Sequence, residues 1–233
     1  MSDEPVLVIA IDGPAASGKS TVAIMLARRL GLALVDSGSM YRAATLLAIE
    51  RGVSLDDDAS LAEIARELRE SFDLELPPDS PARVSVHGRD ISSAIRSPEI
   101  GEAVSPVSAV KGVREEMVKL QRSLVRKPGA VVEGRDIGTT VFPEAPLKVY
   151  LEASQSERTR RRYAELTEKG LDTTESSVRQ EIAMRDEIDS SRESSPLAAA
   201  RDALRVDTTE LTIEDVVQEI TSELERRGLC MDV

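Results

Sequence analysis

A chain of 233 residues carrying 42 Asp and Glu against 30 Lys and Arg has a formal net charge of −12, and its length suffices for a full α/β core plus one insertion. That balance excludes a general nucleic-acid binder, which needs a basic face, and two Phe, three Tyr and no Trp leave few platforms for stacking bases. No apolar stretch reaches membrane-spanning length, the acidic first residues lack a signal-peptide n-region, and the single cysteine, Cys230, rules out an internal disulfide framework, so a soluble, cytoplasmic monomer is expected.

Val6–Ile11 is an unbroken apolar run and reads as a strand buried on both faces. Gly13-Pro14-Ala15-Ala16-Ser17-Gly18-Lys19-Ser20 follows, a full match to the phosphate-loop pattern GxxxxGK[ST]. Val22, Met25, Leu26 and Leu30 then recur at helical spacing, which completes the strand–loop–helix context. In such a loop the glycines let backbone N–H groups wrap a phosphate, Lys19 faces the β/γ-phosphates and Ser20 offers its hydroxyl to magnesium. The expected ATP-binding residues are Gly13 through Ser20 and Thr21.

Leu32–Val35 is the second expected strand, and Asp36-Ser37-Gly38-Ser39-Met40-Tyr41-Arg42 lies at its carboxyl end, where α/β sheets bind ligands. Between Phe72 and Ser97 the pattern changes: Pro77-Pro78-Asp79-Ser80-Pro81 breaks the chain, and Arg83–Ile91 alternates around Gly88 like an antiparallel hairpin with His87 in its turn. Such a hairpin inside an alternating β/α series marks an inserted subdomain. A helix with Val113, Met117, Leu120 and Leu124 on one face resumes the core.

Ala130–Glu133, Leu147–Leu151 and Leu204–Val206 are the remaining strands, giving a parallel sheet with helices on both faces. Glu133-Gly134-Arg135-Asp136 ends the third strand on the same edge as the phosphate loop. From Ser156 to Arg192 arginines crowd a helix pair: Arg158, Arg160, Arg161 and Arg162 before Gly170, then Arg185, Asp189 and Arg192. Kinases that must exclude water need a mobile cover carrying cations, and this segment suits a lid, with Arg158 and Arg162 as its catalytic cations. Thr212 and Asp215 mark the start of a last helix bearing Ile213, Val216, Val217, Ile220 and Leu224.

Several of these segments together resemble bacterial cytidylate kinase, a nucleoside monophosphate kinase family. They are Ile11-Asp12-Gly13-Pro14 with Gly18-Lys19-Ser20, Asp36-Ser37-Gly38 with Met40-Tyr41-Arg42, and Glu133-Gly134-Arg135-Asp136-Ile137-Gly138-Thr139. Arg185-Asp186 with Asp189 and Arg192, Asp90-Ile91-Ser92 with Ile95-Arg96, Val141-Phe142-Pro143 and Ser195-Pro196-Leu197 extend the likeness over nearly the whole chain. Ser39 stands where the family usually has alanine, and Glu133 where many members have aspartate.

The resemblance implies an adenylate-kinase-like P-loop fold with a five-stranded parallel sheet. It divides into a core (about 1–71, 125–153 and 193–233), a nucleoside-monophosphate insert (about 72–124) and a lid (about 154–192). It further implies transfer of the ATP γ-phosphate to CMP and dCMP with magnesium, for which Asp36 and Glu133 join Ser20 as candidate partners. On this likeness Arg42, Arg135 and Arg192 hold the acceptor phosphate and the transferring group. Ser105, Arg114 and Asp136 read cytosine, Arg185 and Asp189 contact ribose, and Ser37 lies near phosphate and base.

Three rivals remain at this point. Another kinase on the same fold, of thymidylate, adenylate or shikimate type, would lack the 72–97 insert and the Ser105/Arg114 pair. A regulatory nucleotide switch would leave the acceptor-side arginines unexplained, and no Asn-Lys-x-Asp guanine signature is present. A nucleic-acid machine conflicts with the charge.

Overall fold

The computed structural model describes residues 6–192 and 195–229, so Cys230 and the acidic start of the chain lie outside the described residues. A five-stranded sheet has the order β2-β6-β1-β7-β8, built from β1 (Leu7–Asp12), β2 (Ala33–Asp36), β6 (Gly129–Gly134), β7 (Leu147–Glu152) and β8 (Leu204–Asp207). The pairs β2/β6, β1/β7 and β7/β8 are all parallel, with Asp36 opposite Glu133 and Asp12 opposite Tyr150. Parallel neighbours require crossovers, and the helical connections between the strands supply them.

All five strands run one residue past the stretch expected from the sequence, ending at Asp12, Asp36, Gly134, Glu152 and Asp207. The backbone ladder continues for one step after burial stops dictating an apolar side chain. Polar residues of the carboxyl edge are therefore held by the sheet itself.

The chain divides into two compact units, one of residues 6–8 and 27–133 and the other of residues 9–26 and 134–229. In the first, α2 (Ser37–Glu50), α3 (Asp58–Ser71), α4 (Pro98–Ala109) and α5 (Lys111–Leu124) pack on one another, burying Met40, Leu61, Leu68, Ile100, Met117 and Leu120. The expected hairpin is the outer part of a three-stranded antiparallel sheet: β3 (Phe72–Glu75), β4 (Arg83–Val86) and β5 (Arg89–Asp90). Its tight turn puts both His87 (φ 49°) and Gly88 (φ 74°) in the left-handed region. The His87 ring meets Glu67 at 3.0 Å, and Arg51 grips the same carboxylate from the other side.

Helix α1 (Lys19–Leu30) follows the phosphate loop, with residues 19–26 in the second unit. Its buried stripe is Val22, Ala23, Leu26 and Ala27, whereas Met25 and Leu30 are only half-buried, which corrects the expected face. Helices α6 (Gln155–Glu168) and α7 (Glu175–Ser191) form the arginine-rich pair, and Leu166, Val178 and Ile182 make a small apolar cluster between them. Helix α8 (Ile213–Arg226) opens with a reciprocal box in which Thr212 accepts from the Asp215 amide and Asp215 from the Thr212 amide.

Candidate active site

The phosphate loop is shaped by backbone geometry that only glycine allows at its first position. Gly13 has φ 150°, and a Cβ there would lie 2.1 Å from the Leu151 carbonyl oxygen. Ala16 adopts φ 58°, and its methyl packs against the Leu166–Val178–Ile182 cluster of α6 and α7. Lys19, 5% exposed, donates from Nζ to the Pro14 carbonyl at 2.6 Å and lies 3.4 Å from Ser17 Oγ. Ser20 and Thr21 are exposed in the first turn of α1, where unpaired N–H groups and the helix dipole favour an anion.

Arg158 departs from the expectation of a cation held out on a lid. It is buried, donates to the Ala15 carbonyl (3.2 Å) and the Ala153 carbonyl (3.2 Å), and pairs with Asp186 at 2.7 Å. It braces the phosphate loop from behind. Arg162 pairs with Glu165 at 2.9 Å and lies 4.0 Å from Glu181.

Arg161, named among the lid arginines but given no role of its own there, donates to Glu157 (2.8 Å) and to the Thr208 hydroxyl (3.0 Å), and that hydroxyl donates on to the Ser17 carbonyl (3.2 Å). The Arg160 and Arg161 guanidinium groups hold the Glu157 carboxyl down at about 2. Beside them a cleft of ≈ 340 Å³ is lined by Glu157, Arg160, Arg161 and residues 209–213. It adjoins the loop, since Arg161 Nη1 and Ile213 Cδ1 lie 3.9 and 3.7 Å from where a Gly18 Cβ would be.

The same unit brings Arg135, Asp189 and Arg192 together. Arg135 Nε donates to Asp189 Oδ2 at 2.8 Å, and Arg192 donates to Asp189 Oδ1. Burial pushes the Asp189 carboxyl up, but the two guanidinium groups outweigh it and leave the group below the ordinary carboxylate range. The expected Arg185–Asp189 partnership along α7 gives way to this arrangement: Arg185 donates to Glu181 at 3.4 Å, although its charge still acts on Asp189. Asp136, 4% exposed, begins a five-residue turn, Ile137–Val141, by accepting from the Thr140 and Val141 amides through its carbonyl. Asp12, quoted in the sequence only as part of a motif and given no role, accepts from the Ile137 and Gly138 amides at 2.8 and 2.7 Å. Burial pushes its carboxyl up to about 6 against the pull of those two amides, with Asp136 adding to the rise and Lys19 opposing it.

The other unit carries a second set. Asp36 caps α2 by accepting from the Ser39 amide at 3.0 Å, and Ser37 is buried in the first turn. A Cβ on Gly38 would lie 3.1 Å from Arg42 Nη1 and 3.2 Å from Asp36 Oδ1, so the bare glycine makes room for that guanidinium beside that carboxylate. Arg114, 3% exposed on α5, donates to the Ser108 carbonyl at 3.3 Å and lies over the Tyr41 ring at 5.8 Å. Ser105 is buried on α4, one turn before Ser108. Glu133, 5% exposed, is the penultimate residue of β6, opposite Asp36.

A hydroxyl and carboxylates are hard oxygen donors that suit magnesium, and the exposed Ser20 hydroxyl is open to one. Among the described residues no group of three or more His, Cys, Asp or Glu forms a cage. The donor set thus fits an ion that shares its coordination with phosphate oxygens and water.

Residues 9–226 match the family model for cytidylate kinase. The chain is 45% identical over 225 residues to a cytidylate kinase of Bacillus licheniformis, covering 97% of this chain and 99% of that protein. It is 46% identical over 229 residues to a cytidylate kinase of Azotobacter vinelandii, covering 98% and 99%. Among solved structures, an uncharacterized protein from Eubacterium ventriosum superimposes with a TM-score of 0.50 at 11% identity over 95% of this chain and 99% of that one, a likeness of fold alone. A phosphate loop with its lysine, seated in a parallel sheet and matched along almost its whole length, places this chain in the cytidylate kinase family.

Proposed function

We propose that the chain transfers the γ-phosphate of ATP to CMP and dCMP, giving ADP and the nucleoside diphosphate. The observation that supports this reading is a phosphate loop and, within the same compact unit, Arg135 and Arg192 sharing the buried Asp189 carboxylate. An acceptor phosphate is already an oxyanion near neutral pH, with a second pKa of about 6, so transfer needs no general base. The chemistry is in-line positioning and charge neutralisation of a loose transition state.

Residues Gly13 through Thr21 cradle the donor phosphates, and Lys19 leaves the Pro14 carbonyl to face them. The cleft beside Arg160, Arg161 and residues 209–213 receives the purine end of ATP, next to Gly18. Arg42, Arg135, Arg192 and Arg162 hold and neutralise the transferring group, while Arg158 acts through the loop that it braces. Ser37, Ser105, Arg114 and Asp136 recognise CMP, and Arg185 and Asp189 serve its ribose. Ser20 would ligate magnesium directly, with Asp36 and Glu133 holding its waters; the ion supplies positive charge to the phosphate oxygens when bound.

Segment 72–124 acts as the acceptor insert and 154–192 as the lid on the remaining core. The net charge of −12 supports an enzyme of small molecules rather than nucleic acid. No helix of the described residues is long and apolar enough to cross a membrane, and we read the enzyme as a cytoplasmic monomer. The test is ADP formation from MgATP with a panel of nucleoside monophosphates. CMP and dCMP should lead, and Arg114→Met and Asp136→Ala should each collapse the CMP/UMP ratio of kcat/KM, because a buried polar partner is then left unmatched. A ratio unchanged in both variants, or preference for another nucleotide, overturns the assignment.

A further inference from the structure

Asp12 is the last residue of β1 and immediately precedes Gly13, yet its side chain serves neither the sheet nor the loop. It is 4% exposed, and its two oxygens accept separately from Ile137 (2.8 Å) and Gly138 (2.7 Å). Those amides open the turn that directly follows Arg135-Asp136, and the Asp136 carbonyl closes that turn by accepting from Thr140 (2.8 Å) and Val141 (3.2 Å). The fit leaves little slack. A Cβ on Gly138 would lie 3.2 Å from Lys148 Cγ and Cδ and 3.4 Å from Asp12 Oδ2.

A carboxylate removed from water is costly, and a turn of five residues could satisfy two amides with neutral oxygens instead. What only residue 12 offers is its place in the chain, one bond from the phosphate loop. The charged groups acting on it are Asp136 and Lys19, and its own charge acts on Tyr150, opposite it across the β1/β7 pair.

We propose that Asp12 is a positioning residue for phosphoryl transfer, tying the phosphate loop to the Arg135–Asp136 segment so that the donor and acceptor groups keep their register. This rests on the reading of Arg135 and Asp136 as acceptor-side residues. Asp12→Asn keeps the shape but presents an amide N–H₂ to one of the two backbone donors, so the tether is half lost.

The experiment compares wild type, Asp12→Asn, Arg135→Ala and the double variant by kcat, KM for CMP and melting temperature. Asp12→Asn should lower kcat/KM for CMP by about 10²-fold, the scale of an ångström-size misplacement. In the Arg135→Ala background the same change should cost less than about threefold, because its target is already gone. An equal cost in both backgrounds, or a loss that follows only the unfolded fraction, overturns the proposal and leaves Asp12 a structural cap. Arg135→Ala with wild-type CMP turnover overturns the acceptor-side reading, and the proposal with it; an impaired Arg135→Ala beside an unimpaired Asp12→Asn overturns the proposal alone. If Asp12→Asn does not fold, the ligand-free wild type decides by NMR. The Ile137 and Gly138 amides and Arg135 Nε–H should shift with one midpoint near pH 6, the value to which Asp12 is pushed. An Arg135 resonance blind to that midpoint overturns the tether.

Discussion

Asp189 satisfies two guanidinium groups at once, Arg135 from just past β6 and Arg192 from just past α7. Each carboxylate oxygen keeps a lone pair for a ribose hydroxyl. Asp189→Ala should therefore reduce kcat/KM for CMP at least tenfold more than for dCMP, which lacks the 2′-hydroxyl. Equal losses on the two substrates with a lowered melting temperature would reduce Asp189 to an anchor for the arginines. Lys19→Ala should cost about 10²–10³ in kcat, the scale of one preorganised charge contact, with the fold intact. Near-wild-type turnover would remove Lys19 from the chemistry.

Both residues are visible in the sequence by type, but their partners are not equally so. Lys19 is fixed by a local motif. Helical spacing pairs Asp189 with Arg185, whereas the cations bonded to it are Arg192, just past the helix, and Arg135, 54 positions away in the chain. Asp12 is harder still, because its partners are backbone amides that carry no residue code.

At the scale of elements, the central strands β1 and β6 were legible because burial on both faces demands apolar runs, and the α8 start because its capping box is local. Less legible were contacts made by small residues. Ala23 and Ala27 complete the buried stripe of α1, yet neither stands out in a search for bulky apolar spacing. Strand β3 is four residues long and owes its existence to pairing with β4 rather than to its own pattern.

Gly112 makes the same point for helix packing. A Cβ there would sit 2.8 Å from the Ala62 Cβ, so α5 and α3 approach as closely as they do because that atom is missing. Gly112→Ala should overpack this contact and destabilise by about 1–3 kcal/mol, less whatever the better helix former returns. Thermal melting should show a drop of several degrees, and Ala62→Gly in the same chain should restore part of it. A Gly112→Ala variant as stable as wild type would mean that the helices part without cost.

For the molecule as a whole, acid response is set by carboxyls shifted in opposite directions. Glu67, held by Arg51 and His87, and Glu157, held by Arg160 and Arg161, are both drawn down to about 2. Their stabilising contribution is present above the ordinary carboxylate range and fades as pH falls toward 2, softened by solvent at these partly exposed sites. Asp12 acts the other way. Its carboxyl rises from 3.8 in the open chain to about 6 when buried, so the folded state holds that proton more tightly than the unfolded state does.

Stability from Asp12 is thus fully present below about pH 4 and is lost as pH climbs through 6, by an amount on the order of 2–3 kcal/mol. Asp12→Asn cannot titrate, so its stability difference from wild type should change by that amount between pH 4 and 6 and stay flat from pH 7 to 8. The hydrogen bond lost in the variant shifts the whole curve but adds no pH dependence, which separates the two effects. Chemical unfolding of both proteins at half-unit steps from pH 4 to 8 measures the difference. Parallel curves over the whole range would mean that Asp12 titrates in the folded chain as it does in the unfolded one.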